Sequence, residues 1–408
     1  MQRYHRQTLL PQIGAQGQAQ LAAARVLLIG CGALGTVIAE QLARAGIGFL
    51  RIVDRDVVEM TNLQRQVLFD EADAHSEVPK AIAAANRLAR INSSITIEPN
   101  VTDCHAGNIE ELIAAREHRA VDRMHSSSGS AASPSSGTPG EGWGSGCVER
   151  ASTARMGPHP NPPPEYRRRG QNSSPTLAHA AVDLILDGTD NAETRYLIND
   201  AAVKFGIPWI YAACVSMEGR VMSIRPGITP CLRCIFPQPP GPGELPTCDT
   251  AGVFAPAAAI VASLQVAAAI KLLVEPQAHH ESILTIVDVW TGRFRSSCTE
   301  DAKRPDCIAC GRRRFEFLDC ITAATSTNLC GRNAVQVRPS GFARVDLGQL
   351  AVKLSRVGQI ERTEHLVRCQ MPEPQSIRLT VFPDGRLIVH GTSDFERAKS
   401  IYARYVGL

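Results

Sequence analysis

The chain has 408 residues, 43 basic and 40 acidic side chains, a net charge of +3 and 13 cysteines. That length buries a sizeable core and suits two domains, or one large domain with an appendage. The near-neutral balance implies no nucleic-acid partner, and so low a cysteine content excludes a disulfide-built scaffold.

The opening residues, MQRYHRQTLL, hold no long apolar run of the signal-peptide kind, so a cytoplasmic location is expected. Tyr4, Arg6 and Gln7 precede an Ala/Gln-rich stretch that predicts a helix over residues 14–24. On its own, Arg6 reads as a solvated basic side chain. Residues 25–29, RVLLI, form a short apolar run typical of a buried parallel strand. It empties into Gly30-Cys31-Gly32-Ala33-Leu34-Gly35, then a helical pattern over 36–45, then a second apolar run over 49–53 that ends at Asp54. Strand, glycine turn, helix, strand, acid is the order of a Rossmann-like nucleotide fold. Gly30, Gly32 and Gly35 supply a tight turn, close backbone approach to phosphate and close helix-on-strand packing. Phosphate then rests on the free N–H groups of the helix start. Asp54 lies 54 − 35 = 19 residues beyond the last glycine, where an acid takes ribose hydroxyls. At this point NAD and ATP are both open.

Asp56 follows, then Thr61-Asn62-Leu63-Gln64-Arg65-Gln66. Arginine-bearing polar segments beside a phosphate site suit a polyphosphate clamp, because guanidinium meets phosphate oxygens in pairs. Pro79-Lys80 opens an alanine-rich helix over 81–90, and Lys80 could point back toward phosphate rather than sit as an exposed helix-start lysine. A strand over 95–101 and a helix over 108–115 come next. From about residue 118 to 177 the chain is rich in Ser, Gly, Pro and Arg with almost no apolar periodicity. Such a stretch cannot bury enough surface to offset its ordering entropy, and it is expected to be a disordered insertion. Cys147 within it is read as a bystander.

The fold resumes with a strand over 182–187 and then Gly188-Thr189-Asp190-Asn191. A carboxylate just past a strand's carboxyl end sits where open α/β sheets bind ligands, so Asp190 is a candidate Mg²⁺ ligand. A helix over 192–205 carries Arg195 and Asn199, and strands are expected over 208–211 and 220–224. Residues 257–274 are apolar except for Ser263, Gln265 and Lys271. They read as a core helix rather than a membrane span. Cys231-Leu232-Arg233-Cys234 and Cys307-Ile308-Ala309-Cys310 are two CxxC knuckles. Together they fit one tetrahedral Zn²⁺ of a structural kind, with no coordination position left for water. The 72 residues between them require the fold to bring them together.

In RYHRQ, GCGALG, DRDVVEMTNLQRQ, PKA, DGTDNAETRYLIND, the two CxxC pairs and TCDTAGVFAP, the sequence resembles the MoeB/ThiF/HesA family. These are the bacterial relatives of ubiquitin-activating enzymes, with molybdopterin-synthase adenylyltransferases the nearest branch. The resemblance spans residues 1–310 apart from the insertion. It implies ATP rather than NAD, and adenylation of the C-terminal glycine of a ubiquitin-like sulfur carrier of the MoaD or ThiS kind, with pyrophosphate released. It further implies that Arg65 and Lys80 bind phosphate, that Asp54 binds ribose, that Asp190 associates with Mg²⁺, and that Asn62 and Gln66 line the pocket. Arg6 matches an arginine that reaches the neighbouring site across a homodimer. Cys248, in the Pro/Gly-rich stretch 237–250, matches a cysteine that in some relatives joins covalently to the carrier.

Residues 315–408 lie outside the resemblance. Strands over 334–338 and 378–381, a Pro383-Asp384-Gly385 turn into 387–390, and a closing helix over 395–405 predict a small α+β domain. Some eukaryotic relatives carry a rhodanese domain here, but Cys330-Gly331-Arg332-Asn333 is not a Cys-x-x-Gly-x-Arg loop. Docking of the carrier or of a sulfur donor is the softer expectation, and Cys320, Cys330 and Cys369 read as packed small residues. Two rivals stand beside the adenylyltransferase: an NAD-dependent oxidoreductase, which needs neither the CxxC pairs nor the Arg65/Lys80 clamp, and an inactive carrier-binding module.

Overall fold

A computed structural model describes residues 2–114, 182–240, 248–278, 281–319, 326–329, 333–337, 345–372 and 377–406. The insertion expected over 118–177 falls outside them, as do Cys147, Cys320 and Cys330.

Eight strands form the larger sheet: β1 (Arg25–Ile29), β2 (Phe49–Asp54), β3 (Thr96–Val101), β4 (Leu184–Asp187), β5 (Trp209–Val215), β6 (Glu218–Ile224), β7 (Ile283–Asp288) and β8 (Arg293–Cys298). Their order is β3-β2-β1-β4-β5-β6-β7-β8. The pairs from β3 to β5 are parallel; those from β5 to β8 are antiparallel. The result is a Rossmann-like parallel half extended by an antiparallel meander. Both faces are covered, which is why β1 and β4 read as unbroken apolar runs instead of alternating. Val26, Leu28, Leu50, Ile52, Leu184 and Leu186 point into one core, while Leu27, Ile29, Val53 and Ile185 point into the other.

Helices α1 (Gly14–Ala23), α2 (Ala33–Ala45), α3 (Lys80–Ile91), α4 (Ala192–Phe205) and α5 (Ala255–Val274) flank the sheet. By length and composition α5 alone among the described residues could cross a membrane. Its Ala258, Val261, Ala262, Val266 and Ala269 are instead packed into the first core, against α2 and the sheet. Gln265, which interrupts its apolar run, is fully buried and donates from Nε2 to the carbonyls of Asp187 and Ile210. It thereby satisfies strand-end oxygens that the core would otherwise strand.

Six further strands build a second, wholly antiparallel sheet: β9 (Ser326–Leu329), β10 (Ala334–Val337), β11 (Gln359–Arg362), β12 (Val367–Gln370), β13 (Arg378–Val381) and β14 (Leu387–His390), in the order β11-β12-β13-β14-β10-β9. Helices α6 (Leu347–Leu354) and α7 (Phe395–Ile401) cover one of its faces.

Candidate active site

The parallel strands aim their carboxyl ends at one edge, and the glycine turn lies there. Gly30 has φ +90°, and a Cβ on it would lie 2.6 Å from the carbonyl group of Gly188. A Cβ on Gly35 would overlap the Gly30 carbonyl oxygen. The turns after β1 and β4 are therefore packed backbone to backbone, which only glycine permits. Helix α2 starts at Gly32 with no side chain capping it, leaving first-turn N–H groups free for an anion.

Asp54 closes the turn from β2. One carboxylate oxygen accepts from the Cys31 amide at 2.6 Å and the other from the Asp56 amide at 2.7 Å. Burial pushes this carboxyl above the usual range, while Lys80 pulls it down. The Lys80 side chain is buried, with its Nζ 3.3 Å from Asp56 Oδ2, and its amide donates to the Asp56 carbonyl at 2.9 Å. Lys80 is thus a positioned cation, not an exposed helix-start lysine. Gln66 is buried, its Nε2 3.8 Å from where a Gly32 Cβ would stand, and its Oε1 has no partner. Asn62, equally buried, spends its side-chain oxygen on the Glu59 amide in a reciprocal cap.

Asp190 is exposed two residues beyond Gly188, on the same edge. Its charge is felt by Arg55 and Arg195. Arg195 anchors that loop: Nε lies 3.2 Å from Asp187 Oδ2, and Nη2 donates to the Thr189 carbonyl. Burial raises the Asp187 carboxyl and Arg195 opposes it. Arg55 was not singled out by sequence reasoning, because an arginine between two aspartates reads as a solvated surface group. It lies 3.1 Å from Asp103 and 3.8 Å from Asp56. Burial works against its charge, but Asp103, Asp56 and Asp190 outweigh that and hold it up.

Three further residues were expected at the site: Arg65, Arg6 and Cys248. Arg65 is half-buried and donates to the Thr61 carbonyl at 2.7 Å. Arg6 is exposed on a segment whose Gln7 donates to the carbonyl of Ala45, the last residue of α2. The 13 residues of α2 separate it from its own glycine turn by about 20 Å. Cys248 starts the short helix Cys248–Ala251, with its side chain outside the described residues.

The CxxC pairs do converge. Sγ–Sγ distances are 3.9 Å for Cys231–Cys234, 3.6 Å for Cys231–Cys307 and 3.4 Å for Cys234–Cys310, and all four sulfurs lie within 4.8 Å of one another. Four sulfurs about 2.3 Å from one Zn²⁺ are about 3.8 Å apart along a tetrahedron's edges. The cluster therefore fits such an ion, held by thiolates from two segments that bracket α5, β7 and β8 in the chain.

The model of the ThiF family matches residues 4–122 and 165–309. The chain belongs to the ThiF family. It is 36% identical over 406 residues, 99% of both chains, to the sulfur carrier protein ThiS adenylyltransferase of Bacillus subtilis. It is 31% identical to the sulfur carrier protein adenylyltransferase of Thermus thermophilus, over 76% of this chain and 91% of that one. Against adenylyltransferase and sulfurtransferase MOCS3 of Sus scrofa it is 32% identical over 76% of this chain, but spans only 53% of that longer protein. The crystal structure of E. coli MccB with MccA-N7isoASN shares the fold, with a TM-score of 0.53 at 19% identity over 76% of this chain and 74% of that one. Neither the NAD-dependent oxidoreductase nor the inactive carrier-binding module finds support among these ThiF-family relatives.

Proposed function

We propose that this ThiF-family protein adenylates the C-terminal glycine of a ubiquitin-like sulfur carrier, MoaD- or ThiS-like, using ATP and releasing pyrophosphate, in sulfur transfer for thiamine or molybdopterin biosynthesis. A carboxylate oxygen attacks the α-phosphorus, a new P–O bond forms, and the bond to the β-phosphate oxygen breaks as pyrophosphate leaves. Two anions must meet, so catalysis rests on fixed cations and dipoles. The observation that carries the reading is Lys80, buried beside Asp56 next to the uncapped start of α2. It sets a positive charge where phosphate would lie.

In this reading Lys80 neutralises phosphate, and the Gln66 side chain near Gly32 binds on the same side. Asp54 braces the turn and faces the ribose. Asp190, exposed at the strand edge, would hold Mg²⁺ directly or through water. Arg65, whose Nη1 donates to the Thr61 carbonyl, would bind phosphate with its guanidinium. The distance of Arg6 from its own turn favours action on a second copy's site, as in a homodimer. Cys248 is the candidate for covalent attachment of the carrier: its thiolate would attack the acyl carbon of the acyl-adenylate, forming a thioester as the bond to AMP breaks and AMP leaves. Zinc at Cys231, Cys234, Cys307 and Cys310 would hold structure, supplying cross-linking rather than chemistry. A cytoplasmic enzyme that meets a sulfur-donor protein completes the proposal.

The test is ATP–pyrophosphate exchange dependent on a purified ThiS- or MoaD-like carrier. Exchange with the parent, and its loss in Asp190→Ala at an unchanged melting temperature, are expected. No exchange with any carrier from the same genome overturns the activity; normal exchange in Asp190→Ala overturns the role of that residue.

A further inference from the structure

The second sheet lies beyond the residues matched by the ThiF model, though within the length shared with the Bacillus subtilis relative, and the face not covered by α6 and α7 grips the two segments that carry Asp56 and Lys80. Arg386, 1% exposed, donates from Nη1 to the carbonyl of Arg55 at 3.1 Å, and Arg55 sits between Asp54 and Asp56. Arg368, 6% exposed, has its Nε 2.8 Å from Glu77 Oε2 and reaches the carbonyls of Ser76 and Glu77 with Nη2. Arg378 Nη1 lies 3.1 Å from the other Glu77 oxygen. Glu77 itself has φ +44°, a conformation costly for a residue with a Cβ and kept only where the surroundings enforce it. The two gripped segments also pair with each other. Val57 bridges Pro79, Val58 donates to the Val78 carbonyl, and Lys80 donates to the Asp56 carbonyl. Ala334, Leu366, Phe382 and Ile388 seal the contact against Val57 and Val101.

We propose that the second sheet is a working part of the nucleotide site, with Arg386 and the Arg368–Glu77–Arg378 cluster as positioning residues that set Asp56 and Lys80 for ATP. This deepens the reading of that site as an ATP site and rests on it. An inert appendage needs only an apolar contact to stay attached. It has no need of two buried arginines bonded to loop carbonyls within a few residues of the phosphate-side lysine, nor of a left-handed glutamate clamped from both sides.

The experiment measures equilibrium ATP affinity of the full-length chain by titration calorimetry, beside exchange kinetics with a carrier and the melting temperature. Glu77→Gly removes the grip while suiting φ +44°; Glu77→Gln and Arg368→Met are the milder partners, and Arg368→Lys is the conservative rescue. We expect ATP to bind Glu77→Gly and Arg368→Met about tenfold more weakly or worse, since small displacements of a binding group carry penalties of this size. The KM for the carrier stays at the parental value, and Arg368→Lys recovers part of the affinity. Variants that melt earlier but bind ATP like the parent overturn the proposal. A parent that binds ATP without supporting exchange overturns the activity proposed above and leaves positioning to be read from affinity. A parent that does not bind ATP overturns both.

Discussion

Individual side chains at the site were legible where chemistry and spacing agreed. Asp54 and Lys80 are named by the motif, and the fold gives both a fixed partner. Arg55 was invisible because its charge is compensated by Asp103, an acid 48 residues away that no local reading pairs with it. Asp200 is another residue whose character is set by packing. It is buried in α4, accepts from the Phe317 amide at 3.0 Å, and burial pushes its carboxyl up to about 6. A carboxyl raised on folding favours the native state fully below about pH 4, where it is protonated in both states, and that contribution is lost as pH rises through about 6. Asp200→Asn keeps an oxygen for Phe317 and removes the buried charge. It is expected to stabilise the fold by on the order of 2–3 kcal/mol at pH 8 and by little near pH 4. Chemical denaturation at both pH values checks this; an equal effect at the two would refute it.

Secondary elements were legible in proportion to their apolar content. β1, β2 and β4 lie within a residue or two of expectation, and α2 starts three residues earlier than expected, at Ala33, because each is buried on a defined face. β7 and β8 were not foreseen: β8 is exposed along its whole length, so no hydrophobic pattern marks it. β9, β11, β12 and α6 escaped for a related reason. β11 (Gln359–Arg362) is largely exposed, and Arg368 interrupts the apolar residues of β12 (Val367–Gln370), so neither carries an apolar run. β5 runs to Val215, four residues beyond the expected end, paired with β6 without a break from Trp209 to Val215. The CxxC knuckles were each legible, but their convergence depends on how α5, β7 and β8, which lie between them, fold back. If the four thiolates hold zinc, they cross-link the ends of that stretch, and structural zinc sites contribute roughly 10 kcal/mol. Purified protein is expected to contain one zinc per chain, and a strong chelator or Cys231→Ser to lower the melting temperature by many degrees. Metal-free protein with unchanged melting would remove zinc from the account.

The molecule as a whole does not place all of its proposed catalytic cations at one of its own sites. Arg6 lies at the far end of α2 from the glycine turn, whereas Lys80 lies beside the turn. If Arg6 serves a second copy, Arg6→Ala and Lys80→Ala should each abolish exchange alone yet complement when co-folded. Random pairing makes half of the dimers mixed, each with one intact site of two, so about one quarter of parental activity is expected. No recovery on mixing would sink the assignment in trans. The sequence by itself determined the Rossmann-like half, the family and the two cysteine pairs, because those depend on local order: a glycine turn between two buried strands, an acid at a fixed spacing, cysteines in pairs. Only the tertiary structure decided that Gly30 and Gly188 share one backbone contact, that the knuckles meet, that Arg6 stands apart from its own site, and that Arg386, Arg368 and Glu77 bind the second sheet to the loops of Asp56 and Lys80. Those facts join residues tens to hundreds of positions apart, and such contacts are set by how buried faces pack, which local spacing does not encode.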